Sequence, residues 1–152
     1  MIKIQLLSEN AKLPQRAENG AAGYDLYLPE DAIINKGRNV IPLDFKIELN
    51  PGTEAQIRPR SGFSVKGIEG YFYNLDTPKR FDADVILGTI DESYRGNVGV
   101  IIKSNENFSF IVKAGTKIAQ MVISNYIADT FVESDNLSDT DRGEGGFGHT
   151  GV

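Results

Sequence analysis

An all-β fold is predicted for this chain by three observations: apolar and polar residues alternate in short runs, turn signals separate the runs, and no stretch of a dozen residues carries a helical apolar stripe. Ile2, Ile4 and Leu6 alternate with polar partners, as do Phe45, Ile47 and Leu49, then Phe108, Phe110 and Val112. "NKG" at 35–37, "NPG" at 50–52 and "KAG" at 113–115 mark reversals between runs. Many short strands with closely spaced turns make a sandwich or barrel. One short helix is expected near "SGFSVKG", and "DVILGTI" at 84–90 reads as a strand buried on both faces. The segment 67–85, "GIEGYFYNLDTPKRFDADV", mixes aromatics, charges and a proline without period. It reads as a long excursion between strands, and such loops in compact domains are often functional.

A length of 152 residues makes one domain, and 40% hydrophobic with 24% charged residues is an ordinary soluble composition. The net charge of −5 argues against nonspecific binding to nucleic acid, which needs a positive surface, but leaves room for a small phosphorylated ligand. With no cysteine there is neither a disulfide framework nor a thiolate metal site. The N-terminus lacks a signal-peptide apolar core, and no stretch has membrane-spanning length, so a cytoplasmic protein is expected, or one of the host-cell cytoplasm if the chain is viral. The alternating pattern supports a β-barrel domain over 1–133. Residues 134–152 are polar, acidic and glycine-rich, and are expected to form a mobile arm.

That arm ends in "RGEGGFGHTGV", in which Gly143, Gly145 and Gly148 spell GxGxxG and Gly143 to Thr150 approximate a P-loop with His149 in place of lysine. Both motifs need a helix after the glycines, and the sequence ends two residues after Thr150, so neither is expected. Local physics still allows an anion-binding nest of backbone N–H groups, with Arg142 adding charge, Thr150 a hydroxyl and Phe147 a flat face for a base. A glycine-rich terminus that merely solubilises the chain is the plain alternative.

Four more stretches carry suggestive chemistry: "AAGYDLYLP" (21–29), "RPRSGFSVKG" (58–67), "GTIDESYRGNVGV" (88–100) and "GTKIAQMVI" (115–123). Asp91 follows an apolar run and precedes a turn, where a carboxylate can orient and deprotonate a water for in-line attack on phosphorus. A turn-capping aspartate is the bland reading. Tyr94 could exclude a 2′-hydroxyl by lying beneath a sugar, or be a hairpin aromatic. "PRSG" is a turn, and it also offers a guanidinium, a hydroxyl and N–H donors to a leaving phosphate.

With the tail, these stretches resemble, in order, the five motifs of the trimeric dUTPase family. The resemblance implies a distorted β jelly-roll barrel, a homotrimer with shared active sites, and hydrolysis of dUTP to dUMP and pyrophosphate with Mg²⁺. By the same resemblance Asp91 is the catalytic base, Tyr94 selects deoxyribose, and the main chain of Gly88, Thr89 and Ile90 reads uracil. Arg60, Ser61, Gly62 and Gln120 contact phosphates, and Asp25 holds waters of the metal. Arg142 reaches the γ-phosphate, Phe147 covers the base, and Gly148 and Thr150 donate to phosphates.

Several positions depart from the family pattern. Val85 stands where the family often has Asn, Ser93 where many members have Asp, and His149 where serine is common; His149 is read as a tolerated substitution. Asp91 follows Ser61 by 30 positions, more than is usual, and the extra length lies in 67–85. Two alternatives follow from relatives of the fold. The dCTP deaminases share it, but their catalytic glutamate matches Ile101 here. Some viral and phage relatives also bind partners, for which 67–85, with Tyr71, Phe72, Tyr73 and Phe81, could be the surface; packing onto the protein's own trimer is the reading preferred.

Overall fold

Strands that alternate apolar and polar side chains have one face to cover, and short antiparallel sheets wrapped around a common core do so here. The computed structural model describes residues 1–73 and 75–146, and contains fourteen strands and one helix in that range. The largest sheet has the order β11 (Gly88–Ile90), β7 (Thr53–Arg58), β14 (Lys117–Asn125), β3 (Gly23–Tyr27), β2 (Gln15–Arg16). A second joins β10 (Ala83–Ile86), β12 (Gly99–Ser104) and β5 (Gly37–Pro42). Three two-stranded ribbons complete it: β1 (Lys3–Leu6) with β6 (Phe45–Glu48), β4 (Ala32–Ile34) with β13 (Phe110–Val112), and β8 (Ile68–Gly70) with β9 (Lys79–Phe81). Every pairing is antiparallel.

The all-β expectation holds, and so does the single helix, α1 (Ser61–Lys66), at "SGFSVK". Phe45, Ile47 and Leu49 are buried together, as their alternation requires, while Leu26, Ile102 and Ile118 reach the same core from other strands. Each such side chain contributes about 1.5–3 kcal/mol by leaving water. The first run is less covered: β1 pairs only with β6, so Ile4 is partly covered and Leu6 stays exposed.

Two expectations need correcting. "DVILGTI" is not one strand buried on both faces: the chain leaves the second sheet after Ile86, turns at Leu87, which is 68% exposed, and enters the first sheet as β11. Within β10, buried Ala83 and Val85 flank exposed Asp84, so burial is one-sided. The run is apolar because its outward side chain Ile86 lines a pocket, not because a second layer covers it.

The excursion 67–85 is not irregular either. It forms the β8–β9 hairpin and the first three residues of β10, and Tyr71 bridges Ile111 through reciprocal backbone hydrogen bonds of 2.8 and 2.9 Å. Phe81 stacks on Phe110 with centroids 4.2 Å apart, and Phe72 meets Phe81 edge-on at 5.3 Å. Arg80 donates to Gly67 O at 3.3 Å, tying the hairpin to the end of α1. Only the tip presents large apolar side chains to solvent, with Tyr73 75% and Leu75 51% exposed.

The hairpin is therefore part of the core. Phe81→Ala should cost about 3–5 kcal/mol through lost burial and a cavity, lowering the thermal midpoint by roughly 10 °C, whereas Tyr73→Ala at the tip should leave it within about 2 °C. Equal melting of both variants would contradict this packing.

Candidate active site

β11 is an edge strand, paired on one side with β7 through Gly88 to Ile57 and Ile90 to Ala55. On its other side the outward main-chain donors and acceptors have no strand partner among the described residues. Directly after Ile90 the chain turns: Tyr94 N–H donates to Asp91 O at 3.0 Å, and the Asp91 residue is exposed. Tyr94 Oη donates to Asn97 O at 3.0 Å. The phenol packs so closely on Gly96 that a Cβ there would lie 2.3 Å from Oη and 2.5 Å from Cζ, so only glycine permits this ring position.

These residues enclose a pocket of about 180 Å³. Gly88, Thr89, Ile90, Asp91 and Tyr94 line it on one side, and Ile57, Ile86 and Ile101 give it apolar walls. The volume is below the roughly 300 Å³ at which pockets for whole small-molecule ligands begin, so it suits a part of a ligand. A Cβ on Gly88 would meet nothing nearer than Ile57 at 3.8 Å, an ordinary contact. The fold thus tolerates a side chain there, and the space gained by glycine belongs to the pocket. Val85 is buried and pairs with Ile102, away from the pocket lining, while Ile101 faces into it. A larger groove of about 570 Å³ lies between the N-terminal segment and the first sheet, but its walls are chiefly Met1, Ile4, Leu13, Met121 and Ile123, and among the described residues no Asp, Glu, Lys or Arg side chain lines it.

A second cluster gathers the other motifs. Asp25 on β3 sits opposite Gln120 on β14, which sits opposite Arg58 on β7. The Asp25 residue is only 6% exposed, and two cations hold it: Arg60 Nε at 3.1 Å from Oδ1 and Lys117 Nζ at 2.7 Å from Oδ2. The lysine contact is close but poorly directed, so Oδ2 has charge compensation without a well-formed hydrogen bond. The close contact with the Asp25 carboxylate and its charge hold the Lys117 ammonium above its usual pKa. Gln120 donates Nε2 to Pro59 O at 2.9 Å, fixing the turn before α1. Its side chain fills the space over Gly23, where a Cβ would lie 2.1 Å from Oε1.

Arg60 caps α1, its carbonyl accepting from Phe63 and Ser64 N–H at 2.9 and 3.0 Å. The amides of Ser61 and Gly62 fall in the first turn, where a helix has no internal acceptors for them, and both residues are exposed. Buried Phe63 anchors the turn from beneath.

The two clusters do not meet within one chain. Asp91 lies just beyond the Ile90–Ala55 pair, whereas Asp25 shares a row with Arg58 at the other end of β7. Three strand spacings of about 4.8 Å across and roughly four residues of about 3.3 Å along separate the two carboxylates by on the order of 20 Å.

After β14, residues 126–144 are exposed, and Arg142 donates Nε to Gly145 O at 2.8 Å within its own turn. Phe147, Gly148, His149 and Thr150 lie outside the described residues. Lys117, Gly23 and Gly96 are the participants that the sequence reading does not single out, although each lies inside or beside a quoted motif. A buried carboxylate needs a cation, and a search for one near Asp25 would reach Lys117.

Against known proteins, the chain matches the dUTPase family profile over residues 9–151. It is 46% identical over 152 residues to the deoxyuridine 5'-triphosphate nucleotidohydrolase of Clostridium tetani, covering 99% of this chain and 96% of that protein. The counterpart in Oryza sativa subsp. japonica is 40% identical, with 100% of this chain and 81% of that protein covered. Among solved structures, the dUTPase of Staphylococcus bacteriophage 80alpha with dUPNHPP superposes with a TM-score of 0.83 at 26% identity, covering 100% of this chain and 99% of that one. The barrel is thus the dUTPase jelly roll, and from the profile, the two relatives and the shared fold together, the chain belongs to the dUTPase family.

Proposed function

We propose that this chain hydrolyses dUTP to dUMP and pyrophosphate, with Asp91 as the base. The observation that carries the reading is a carboxylate at the lip of a small pocket walled by apolar side chains and by the free edge of β11, in a chain of the dUTPase family. Uracil enters against the free edge of β11 along Gly88, Thr89 and Ile90, where the outward main-chain groups present donors and acceptors as a pairing base would. Tyr94, packed on Gly96, lies against the sugar and leaves no room for a 2′-hydroxyl. The Asp91 carboxylate takes a proton from a water whose oxygen attacks the α-phosphorus in line. The bond from that phosphorus to the bridging oxygen breaks, and pyrophosphate leaves with its electron pair. Ile101 argues against deamination, since it lines the pocket at the position that matches a deaminase's glutamate.

The triphosphate meets Arg60, Ser61, Gly62 and Gln120. Arg60 uses Nε on Asp25 and has its terminal N–H groups left for phosphate; Gln120 uses one N–H on Pro59 and has another. Bound magnesium would neutralise the triphosphate and withdraw charge from the reacting phosphorus. The residues fit such an ion if it is held mainly by phosphates and water: Asp25 Oδ2 is a buried acceptor without a directed partner, and no group of three or more metal-ligating side chains occurs among the described residues. Arg142, Phe147, Gly148 and Thr150 of the arm would close over the γ-phosphate and base.

A separation on the order of 20 Å between Asp91 and Asp25 is too long for both to serve one α-phosphate and its metal. This supports a homotrimer in which each site joins Asp91 of one subunit to the Asp25 cluster of another. A free nucleotide as substrate suits the cytoplasm. A second role in partner binding is confined by the packing of Phe72 and Phe81 to the hairpin tip at Tyr73 and Leu75.

Pyrophosphate release with Mg²⁺ should be fastest from dUTP among dUTP, UTP, dTTP and dCTP, and Asp91→Asn should lower it at least about 100-fold; a different preferred substrate, or a fully active variant, refutes the assignment. Gly96→Ala displaces the Tyr94 ring, and the preference for dUTP over UTP should narrow by about 10-fold; an unchanged ratio would show that the ring does not select the sugar. Truncation before Arg142 should leave folding and oligomeric state intact while turnover falls about 10-fold or more, and full activity would return the arm to a solubilising role.

A further inference from the structure

Asp91 is held at the end of a three-residue strand, so what fixes it must lie beyond the ladder. The next residue, Glu92, supplies the contact: its Oε2 accepts the Gly52 N–H at 2.5 Å, bringing the turn between β6 and β7 against the start of the Asp91 turn. On the following peptide group, Gly52 O accepts the N–H of Tyr126 at 3.1 Å. Tyr126 is the first residue after β14, where the exposed segment that leads into the arm begins. One residue of a β-turn therefore connects the neighbour of Asp91 to the root of the arm.

Resting on the assignment of Asp91 as the base, we propose that Glu92 is a positioning residue, its carboxylate clasping Gly52 to set the direction of Asp91 and coupling that direction to the arm root at Tyr126. Two further contacts support the clasp. Arg95 Nη1 donates to Glu92 O at 2.6 Å and to Tyr94 O at 2.9 Å, so the turn is braced from inside as well. The Tyr126 phenol lies close to the Glu92 carboxylate, which together with desolvation and the charge of Asp91 raises its pKa. Gly52 carries both contacts, one on each of its flanking peptide groups, and so joins Tyr126 to Glu92 through a single residue. A base displaced by an ångström from its water loses rate without losing substrate affinity.

The test uses the full chain and compares Glu92→Ala, Glu92→Gln and Tyr126→Phe with the wild type in steady-state release of pyrophosphate from dUTP and in thermal melting. Glu92→Ala should lower kcat about 10-fold with KM within about 2-fold, the pattern of an interaction expressed in the transition state, and with the melting midpoint within about 3 °C. Glu92→Gln keeps an oxygen that can accept the Gly52 N–H and should recover kcat to within about 3-fold, while Tyr126→Phe should fall between the two. An unchanged kcat in Glu92→Ala, a Gln variant as slow as the Ala variant, or a joint collapse of kcat, KM and melting temperature would each overturn the clasp. An inert wild type would instead sink the assignment of dUTP hydrolysis, which separates that failure from this one.

Discussion

Strand β7 is the rail on which the rest of the molecule is registered. It pairs with β11 on one side and β14 on the other, so its register sets where Asp91 leaves the sheet and places Gln120, the partner of Asp25, opposite Arg58. Side chains alternate with period two, so a slip of one residue between β7 and β14 would carry Gln120 to the opposite face and remove its bond to Pro59. The same slip between β7 and β11 would turn Ile90 out of the core. Burial of Ile57 and Ala55 on β7 and of Met121 on β14 makes those slips expensive.

Electrostatics is concentrated at one buried carboxylate. Removing Asp25 from water is costly unless cations compensate it, and Arg60 and Lys117 do so from half-exposed positions. Because both cations keep contact with solvent, their net contribution to stability is modest, and the cluster is better understood as organisation than as glue. It ties β3, β14 and the start of α1 into one arrangement, with an oxygen and several N–H groups left over. In the proposed reaction those remaining groups are the ones that meet phosphate and metal-bound water.

The pocket on β11 depends on the opposite economy, with main chain and hydrocarbon in place of charge. Ile86 and Ile101 face outward from the second sheet, and their apolar surface lines the space beside Gly88. A strand edge that would invite misassembly if left open is used in the proposed site to read a base. The hairpin β8–β9 is joined to the β4–β13 ribbon through Tyr71 and braces α1 through Arg80, which gives the excursion a structural reason for its aromatic content.

Alternation in "FKIEL", the turn at "NPG" and the absence of a helical stripe determined by themselves that the chain is all-β, and the ordered motifs around Asp25, Arg60, Asp91, Gln120 and Arg142 identified the family. Local patterns suffice there because they arise from neighbours along the chain. Other features come from contacts between distant segments. "DVILGTI" looks doubly buried in sequence because nothing local separates a core wall from a pocket wall. Lys117 stands three residues before Gln120, which in a regular strand puts it on the other face; a bulge between Lys117 and Ala119 restores it to the face of Asp25. Pairing with β3 creates that bulge, and the distance between Asp25 and Asp91 follows from strand order, so tertiary structure alone decided the second cation on Asp25 and the separation of the two clusters.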